Sequence, residues 1–326
     1  MRNQMKIALL VVLAIVCIGL FLFLAIVCIG LFLFYDLGNW DYPLPRRIKK
    51  VAAIVLTGGA IAFSTMIFQT ITNNRILTPS ILGLDSLYML IQTGIIFLFG
   101  SANMVIMNKN INFIISVLLM ILFSLVLYQI MFKGEGRNIF FLLLIGIVFG
   151  TLFSSLSSFM QMLIDPNEFQ VVQDKMFASF NNINTDLLWL AFIIFLLTGV
   201  YVWRFTKFFD VLSLGREHAV NLGIDYDKVV KQMLIVVAIL VSVSTALVGP
   251  IMFLGLLVVN LAREFLKTYK HSYLIAGSVF ISIIALVGGQ FVVEKVFTFS
   301  TTLSVIINFA GGIYFIYLLL KENKSW

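Results

Sequence analysis

Leu212-Ser213-Leu214-Gly215-Arg216-Glu217-His218-Ala219-Val220-Asn221-Leu222-Gly223-Ile224 is a short, largely polar stretch set between two long apolar runs. Gly215 and Gly223 bracket about a turn and a half of amphipathic helix, because a glycine on either side is the ordinary way to start and stop so short a piece. Leu214, Ala219, Val220 and Leu222 supply an apolar face, and Arg216, Glu217 and His218 a wet one. The piece is too short to cross a bilayer. Held between two membrane spans, it reads as a knob that a cytoplasmic partner can push; the alternative is an interfacial helix resting on lipid head groups.

Working outward, the composition points to a membrane protein. Hydrophobic residues make up 61% of the chain and charged residues 11%, too little polar surface to solvate a globule of 326 residues. The apolar runs are near 20 residues long, which selects helices; a barrel would alternate over segments of about 10 residues. The expected fold is therefore all-α, one integral membrane domain over residues 1–326. The net charge of +7 lies between the apolar runs, where it sets topology, so nucleic acid is not the expected partner and membrane lipid is.

The runs fall near 6–34, 50–72, 82–99, 111–132, 139–163, 187–206, 228–247, 251–267, 272–293 and 303–320, which predicts ten transmembrane helices and both termini on one side. With those boundaries 15 Lys and Arg fall on the side of the termini and 7 on the other. The positive-inside rule then makes the termini and the 212–224 segment cytoplasmic. The first run contains an exact tandem duplication, LAIVCIGLFLF at Leu13–Phe23 and again at Leu24–Phe34. An 11-residue insertion returns to the same helix face within roughly 20°, so its faces survive while its length grows to about 42 Å from Ile7 to Phe34, which predicts a tilt or an overhang. Cys17 and Cys28 lie about 16 Å apart on that helix, too far for a disulfide.

On the opposite side, Arg46, Arg47, Lys49 and Lys50 follow Pro43-Leu44-Pro45. Basic residues on a translocated side oppose the topology signal, so they are expected to dock an acidic outer partner, with anionic head groups as the alternative. Trp40 and Tyr42 read as interfacial anchors. The outer loop Asp165–Asp186 reads as a short helix over the outer mouth or as a plain connector.

No catalytic constellation can be assembled. His218 and His271 have no partner at metal-ligand spacing and read as exposed and neutral. No GxxxxGK motif occurs, so the chain is not expected to bind ATP, metal or another cofactor itself. The glycine pairs 58–59, 288–289 and 311–312 read as close helix packing. The spans are nearly free of charge, with Asp85 at a span edge, which disfavours the alternative of an ion-coupled secondary transporter of a small organic or metal-chelate solute. A pathway would be lined by hydroxyls and amides. Thr151, Ser154, Ser155 and Ser158 recur on one face of the fifth run, Gln69 and Thr65 face one way in the second, and Asn73-Asn74-Arg75-Ile76-Leu77-Thr78-Pro79 ends it at an inner constriction.

Five stretches together resemble the bacterial ABC importer permeases for iron chelates, haem and vitamin B12: Pro43-Leu44-Pro45-Arg46; Gln69 to Gly83; Leu212 to Gly223; Gly249-Pro250-Ile251-Met252-Phe253-Leu254-Gly255-Leu256 with Arg263; and Gly311-Gly312 with Phe315 and Leu318-Leu319. The resemblance implies a ten-helix subunit in a bacterial cell membrane that imports ferric siderophore. It implies as partners a second permease, two ATPase subunits that carry ATP and Mg, and an extracytoplasmic substrate-binding lipoprotein. It puts Leu214 to Gly223 in the ATPase-coupling helix, Arg46 at the binding-protein face, and Asn74 and Ile76 near the gate. Pro43 stands where the family has an arginine, with Arg47 as its stand-in, and Glu294 where an arginine often sits, with Lys295 adjacent. These departures resemble the second permease of heterodimeric catecholate-siderophore importers.

Overall fold

The structure, a computed structural model, describes residues 2–35, 41, 43–132, 139–181, 185–299 and 301–323. Trp40 and Tyr42 lie outside them. The helices are α1 (Arg2–Phe34), α2 (Pro43–Thr72), a 3-10 turn (Pro79–Leu82), α3 (Leu84–Phe99), α4 (Met104–Met107), α5 (Lys109–Phe132), α6 (Ile139–Leu163), α7 (Pro166–Met176), α8 (Thr185–Trp203), α9 (Thr206–Leu212), α10 (Arg216–Asn221), α11 (Tyr226–Val248), α12 (Leu254–Leu266), α13 (His271–Lys295) and α14 (Leu303–Asn323). Among the described residues there is no strand.

Every apolar run of the sequence is helical. Among the described residues, eight helices are long and apolar enough to cross a bilayer, while α3, with 16 residues, and α12, with 13, are shorter. One boundary moves outward: the Pro43–Lys50 basic cluster, expected as a loop before a span starting at residue 50, forms the first turns of α2. Prolines fit there because the first turn of a helix has no acceptor for its N–H groups in any case.

α2 and α11 form the middle of the bundle, with 67% and 72% of their most apolar windows buried. They pack on each other; α13 covers α2, and α1 lies outside α13. Several hydroxyls in this core bond back along their own helices, as Thr57 does to the Ala53 carbonyl at 2.7 Å and Ser244 to Leu240 at 2.7 Å, whereas the Ser242 and Ser282 hydroxyls are buried without a partner. Between α3 and α5, Gln92 and Asn112 exchange amide hydrogen bonds of 3.1 and 3.0 Å, and Gln92 also donates to Ser116. Such reciprocal amides join helices where apolar contact alone gains little over lipid.

α1 keeps one face through the duplication. Ala14 and Ala25, equivalent positions of the two copies, are both buried, and Cys17 and Cys28 both pack on the same core. The helix is continuous through both copies and over its 33 residues runs about 50 Å, longer than the hydrocarbon core. Of the three glycine pairs, one member of each makes the expected close contact: a methyl on Gly58 would lie 2.7 Å from the Ser282 hydroxyl, one on Gly289 2.6 Å from Leu303, and one on Gly311 would collide with Phe253. A fourth such contact comes from Gly146 and Gly150, a G-x-x-x-G pair on α6 where the backbone of the Leu82–Gly83 turn crosses; a methyl on Gly146 would sit 2.8 Å from the Leu82 Cα.

Candidate functional site

The knob is built by α9, α10 and the turns around them. Phe209 and Leu212 anchor α9 in the core, each 1% exposed. Gly215 then takes φ +92°, a conformation that a side chain would oppose, and reverses the chain into α10. The helix stops in a Schellman arrangement: Ile224 N–H donates to the Ala219 carbonyl at 3.1 Å and Gly223 N–H to Val220 at 2.9 Å, with Gly223 left-handed at φ +82°. Asp225 then caps α11 by accepting from the Lys228 N–H.

The face assignment read from the sequence needs correction. Of the four apolar side chains only Ala219 turns inward, fully buried. Leu214, Val220 and Leu222 are 56%, 49% and 63% exposed and share the outer surface with Arg216, Glu217 and His218. Six residues make too few turns for a full apolar stripe, and the Gly215 reversal sets which one faces the bundle. Arg216 reaches back to the Asp227 carboxylate at 3.2 Å, and that hydrogen bond and charge hold its pKa above the ordinary arginine value.

Both ends of the knob are joined to the end of α2. Asp210 of α9 accepts from the His271 backbone N–H at 2.8 Å and meets its Nδ1 at 2.8 Å, while the other ring nitrogen meets the Thr70 hydroxyl at 2.9 Å. Tyr226, just after the knob, donates to the Ile71 carbonyl at 3.3 Å. His271 is therefore 5% exposed, not the solvated side chain expected from its place next to a loop. No local pattern marks it, because its partners lie 61 and 201 residues away.

α2 ends where Asn73 turns left-handed at φ +47°, and the following segment is pinned by amides. Gln69 Nε2 and Asn260 Nδ2 both donate to the Arg75 carbonyl, at 2.7 and 2.9 Å, and the Asn74 side chain accepts from the Ile76 N–H at 2.9 Å. The structure thus brings Gln69, Asn74 and Ile76 together beside the knob. Thr151, Ser154, Ser155 and Ser158 form a separate group, all exposed along one face of α6. Ser157, between them, turns inward to Thr93 at 2.9 Å and Gln161 at 3.0 Å.

At the other end of α2, Arg46 and Lys49 are exposed, and Lys295 lies at the end of α13 with its ammonium over the Tyr35 ring. Arg47 is different: its Nη1 donates to the Phe32, Leu33 and Tyr35 carbonyls at 3.1, 3.1 and 2.8 Å and so caps α1. Lys50 pairs with Glu294 at 2.7 Å, and Gln290 donates to the same carboxylate at 2.9 Å. α7 lies across this end over a polar cavity of about 420 Å³ that includes Tyr88, Lys109, Asn112 and Lys175. Burial, and then the Lys109 charge, push the Lys175 ammonium below the ordinary lysine pKa, against the pull of Asp174.

Asp85 lies at the span edge where it was expected. It stands in the first turn of α3 but is 6% exposed and accepts from the Thr245 hydroxyl at 3.3 Å, because the 3-10 turn folds that helix end into the bundle. Among the described residues it is the one carboxylate in the buried class.

Comparison with known proteins gives the family of the chain. Residues 7–321 match the FecCD transport family. The chain belongs to that family. It is 96% identical to the petrobactin import system permease protein YclO of Bacillus subtilis (strain 168), each covered completely, and 36% identical to the petrobactin import system permease protein FatC of Bacillus anthracis over 85% of this chain and 78% of that one. The fold matches a metal-chelate type ABC transporter solved in an inward-facing conformation, with a TM-score of 0.81 at 20% identity over 93% of this chain and 98% of that one. This FecCD chain is thus a multi-pass membrane transport protein.

Proposed function

We propose that this FecCD chain is a permease subunit of an ATP-driven importer of ferric siderophore, with petrobactin as the first cargo to test. It crosses the membrane ten times with both termini cytoplasmic, α3 and α12 completing the count. It pairs with a second, different permease, is moved by two ATPase subunits that hold ATP and Mg, and receives cargo from an extracytoplasmic binding lipoprotein. The observation that carries the reading is the α10 knob. It leaves Leu214, Val220 and Leu222 exposed on a glycine-bounded mount. An exposed apolar group of this kind on a polar surface is what a partner protein grips.

Closure of the ATPases pushes the knob, and the Asp210–His271–Thr70 chain passes the displacement to α2 and the pinned segment after it. Gln69, Asn74 and Ile76 form the inner gate. The exposed hydroxyls of Thr151, Ser154, Ser155 and Ser158 face the second permease and line the path between the two subunits, where a weakly polar wall suits a chelate that keeps its iron. Arg46, Lys49 and Lys295 dock the binding protein, with Arg47 holding α1 in place behind them.

The test is uptake of ferric petrobactin together with copurification of the ATPase. Leu222→Asp, at an exposed site, should lower both at least tenfold while the subunit stays at its normal level in the membrane; Ala219→Glu should do the same by lifting the whole helix. Unchanged uptake and retention would overturn the coupling assignment. The buried Asp85 supports a second reading, an ion-coupled secondary transporter. That reading gains if uptake survives ATP depletion and collapses with the proton gradient.

A further inference from the structure

Beside the knob, where α2 and α12 end and α13 begins, the bundle holds a cavity of about 420 Å³. Arg75, Arg263 and Lys267 line it, along with the amides of Asn73 and Asn74. Among the described residues that line it there is no carboxylate; the nearby Asp210 is engaged by His271. Arg263 is half-buried, its Nη2 donates to the Met66 sulfur at 3.5 Å, and its Nε is buried without a partner. A thioether is a weak acceptor, and a guanidinium withdrawn from water with no counter-ion is costly.

The surroundings hold these cations in place. The two amide donors on the Arg75 carbonyl fix that backbone from both α2 and α12. Lys267 closes α12 at φ +45°, where glycine is the ordinary residue, so the position carries an ammonium at the expense of backbone ease. The Arg75 charge bears on Arg263, and such like charges around one space repel until an anion joins them. Planar guanidinium donors beside an ammonium suit the several oxygens of a phosphate. The meeting of these three helix ends puts the cavity at head-group depth.

We propose that this cavity is a phosphate-binding site, filled by the head group of an anionic phospholipid or by a free phosphate ester, which ties the segment after α2 to α12. The site goes beyond the transport reading and is tested on the purified full-length chain without partners. Thermal unfolding is followed in detergent with inorganic phosphate exchanged for chloride at constant ionic strength, and in phosphatidylcholine nanodiscs with and without phosphatidylglycerol. A saturable rise in Tm with phosphate supports the proposal with a free ester as occupant; a rise with phosphatidylglycerol alone supports it with a lipid head group. Either rise should vanish in the double variant R75Q/K267Q, whose Tm in chloride and phosphatidylcholine should be no lower than that of the natural chain, because the substitutions remove charges that repel one another there. No rise in either medium, or a rise that persists in the double variant, overturns the site.

Discussion

The two ends of α2 are fastened by different chemistry. At its start, full charges do the work: Arg47 caps α1 through three carbonyls, and Lys50 and Glu294 form an ion pair with side chains only 16% and 11% exposed. At its end the links are directional hydrogen bonds through hydroxyl, imidazole and amide groups, from Thr70 through His271 to the Asp210 carboxylate and from Gln69 and Asn260 to the Arg75 carbonyl. A charge pair removed from water resists separation, because parting it leaves two poorly solvated ions. A neutral hydrogen bond contributes about 1 kcal/mol net and can be exchanged for another. The start of α2 is thus suited to hold still and the end to move.

Breaking the movable end should give the largest effect. Asp210→Ala removes the partner of the His271 backbone N–H and of its Nδ1, and the expected outcome is retention of the ATPase with uptake lowered about tenfold or more, the equivalent of 1.4 kcal/mol in coupling. Loss of both together would mean that Asp210 merely supports the knob's fold. At the fixed end, Lys50→Met strands Glu294 and should destabilise the chain by about 1–3 kcal/mol, while the double variant Lys50→Met with Glu294→Met recovers most of it; chemical or thermal unfolding of the purified chain reads this, and a double variant as weak as the single one would refute the pairing argument. Charge reversal at Arg46 and Lys49 should weaken binding-protein docking several-fold, more at low salt than at high, whereas Arg47→Gln should loosen α1 and leave docking's salt dependence alone.

The smallest effect concerns the α7 cap. Because Lys175 titrates below the ordinary lysine value in the folded chain, the unfolded chain binds more protons between the two values, so stability rises with pH across that window. A Tm increase on the order of 1 °C between pH 8 and 10 is expected, absent in Lys175→Gln; an equal increase in the variant would place the titration elsewhere.

The helical runs, the basic cluster and the glycine-bounded knob were all legible in the chain, since each rests on local pattern. The α6 pair Gly146 and Gly150 was equally readable as G-x-x-x-G and went unused. His271 is buried although its position next to a loop reads as exposed, because a place near a helix end does not by itself mean contact with water. Arg47 reads as one more outer cation until the end of α1 is brought against it.

The amino-acid sequence by itself determined that this chain lies in a membrane, where its helices run, and where a short rigid piece interrupts them, because hydropathy, glycine and proline act on neighbouring residues. Which side of each helix is buried, which of the knob's apolar groups stay outside, and which cations find a counter-charge were decided only when helices hundreds of residues apart came together. A hydrogen bond or ion pair depends on distances of about 3 Å, and only the folded bundle sets those.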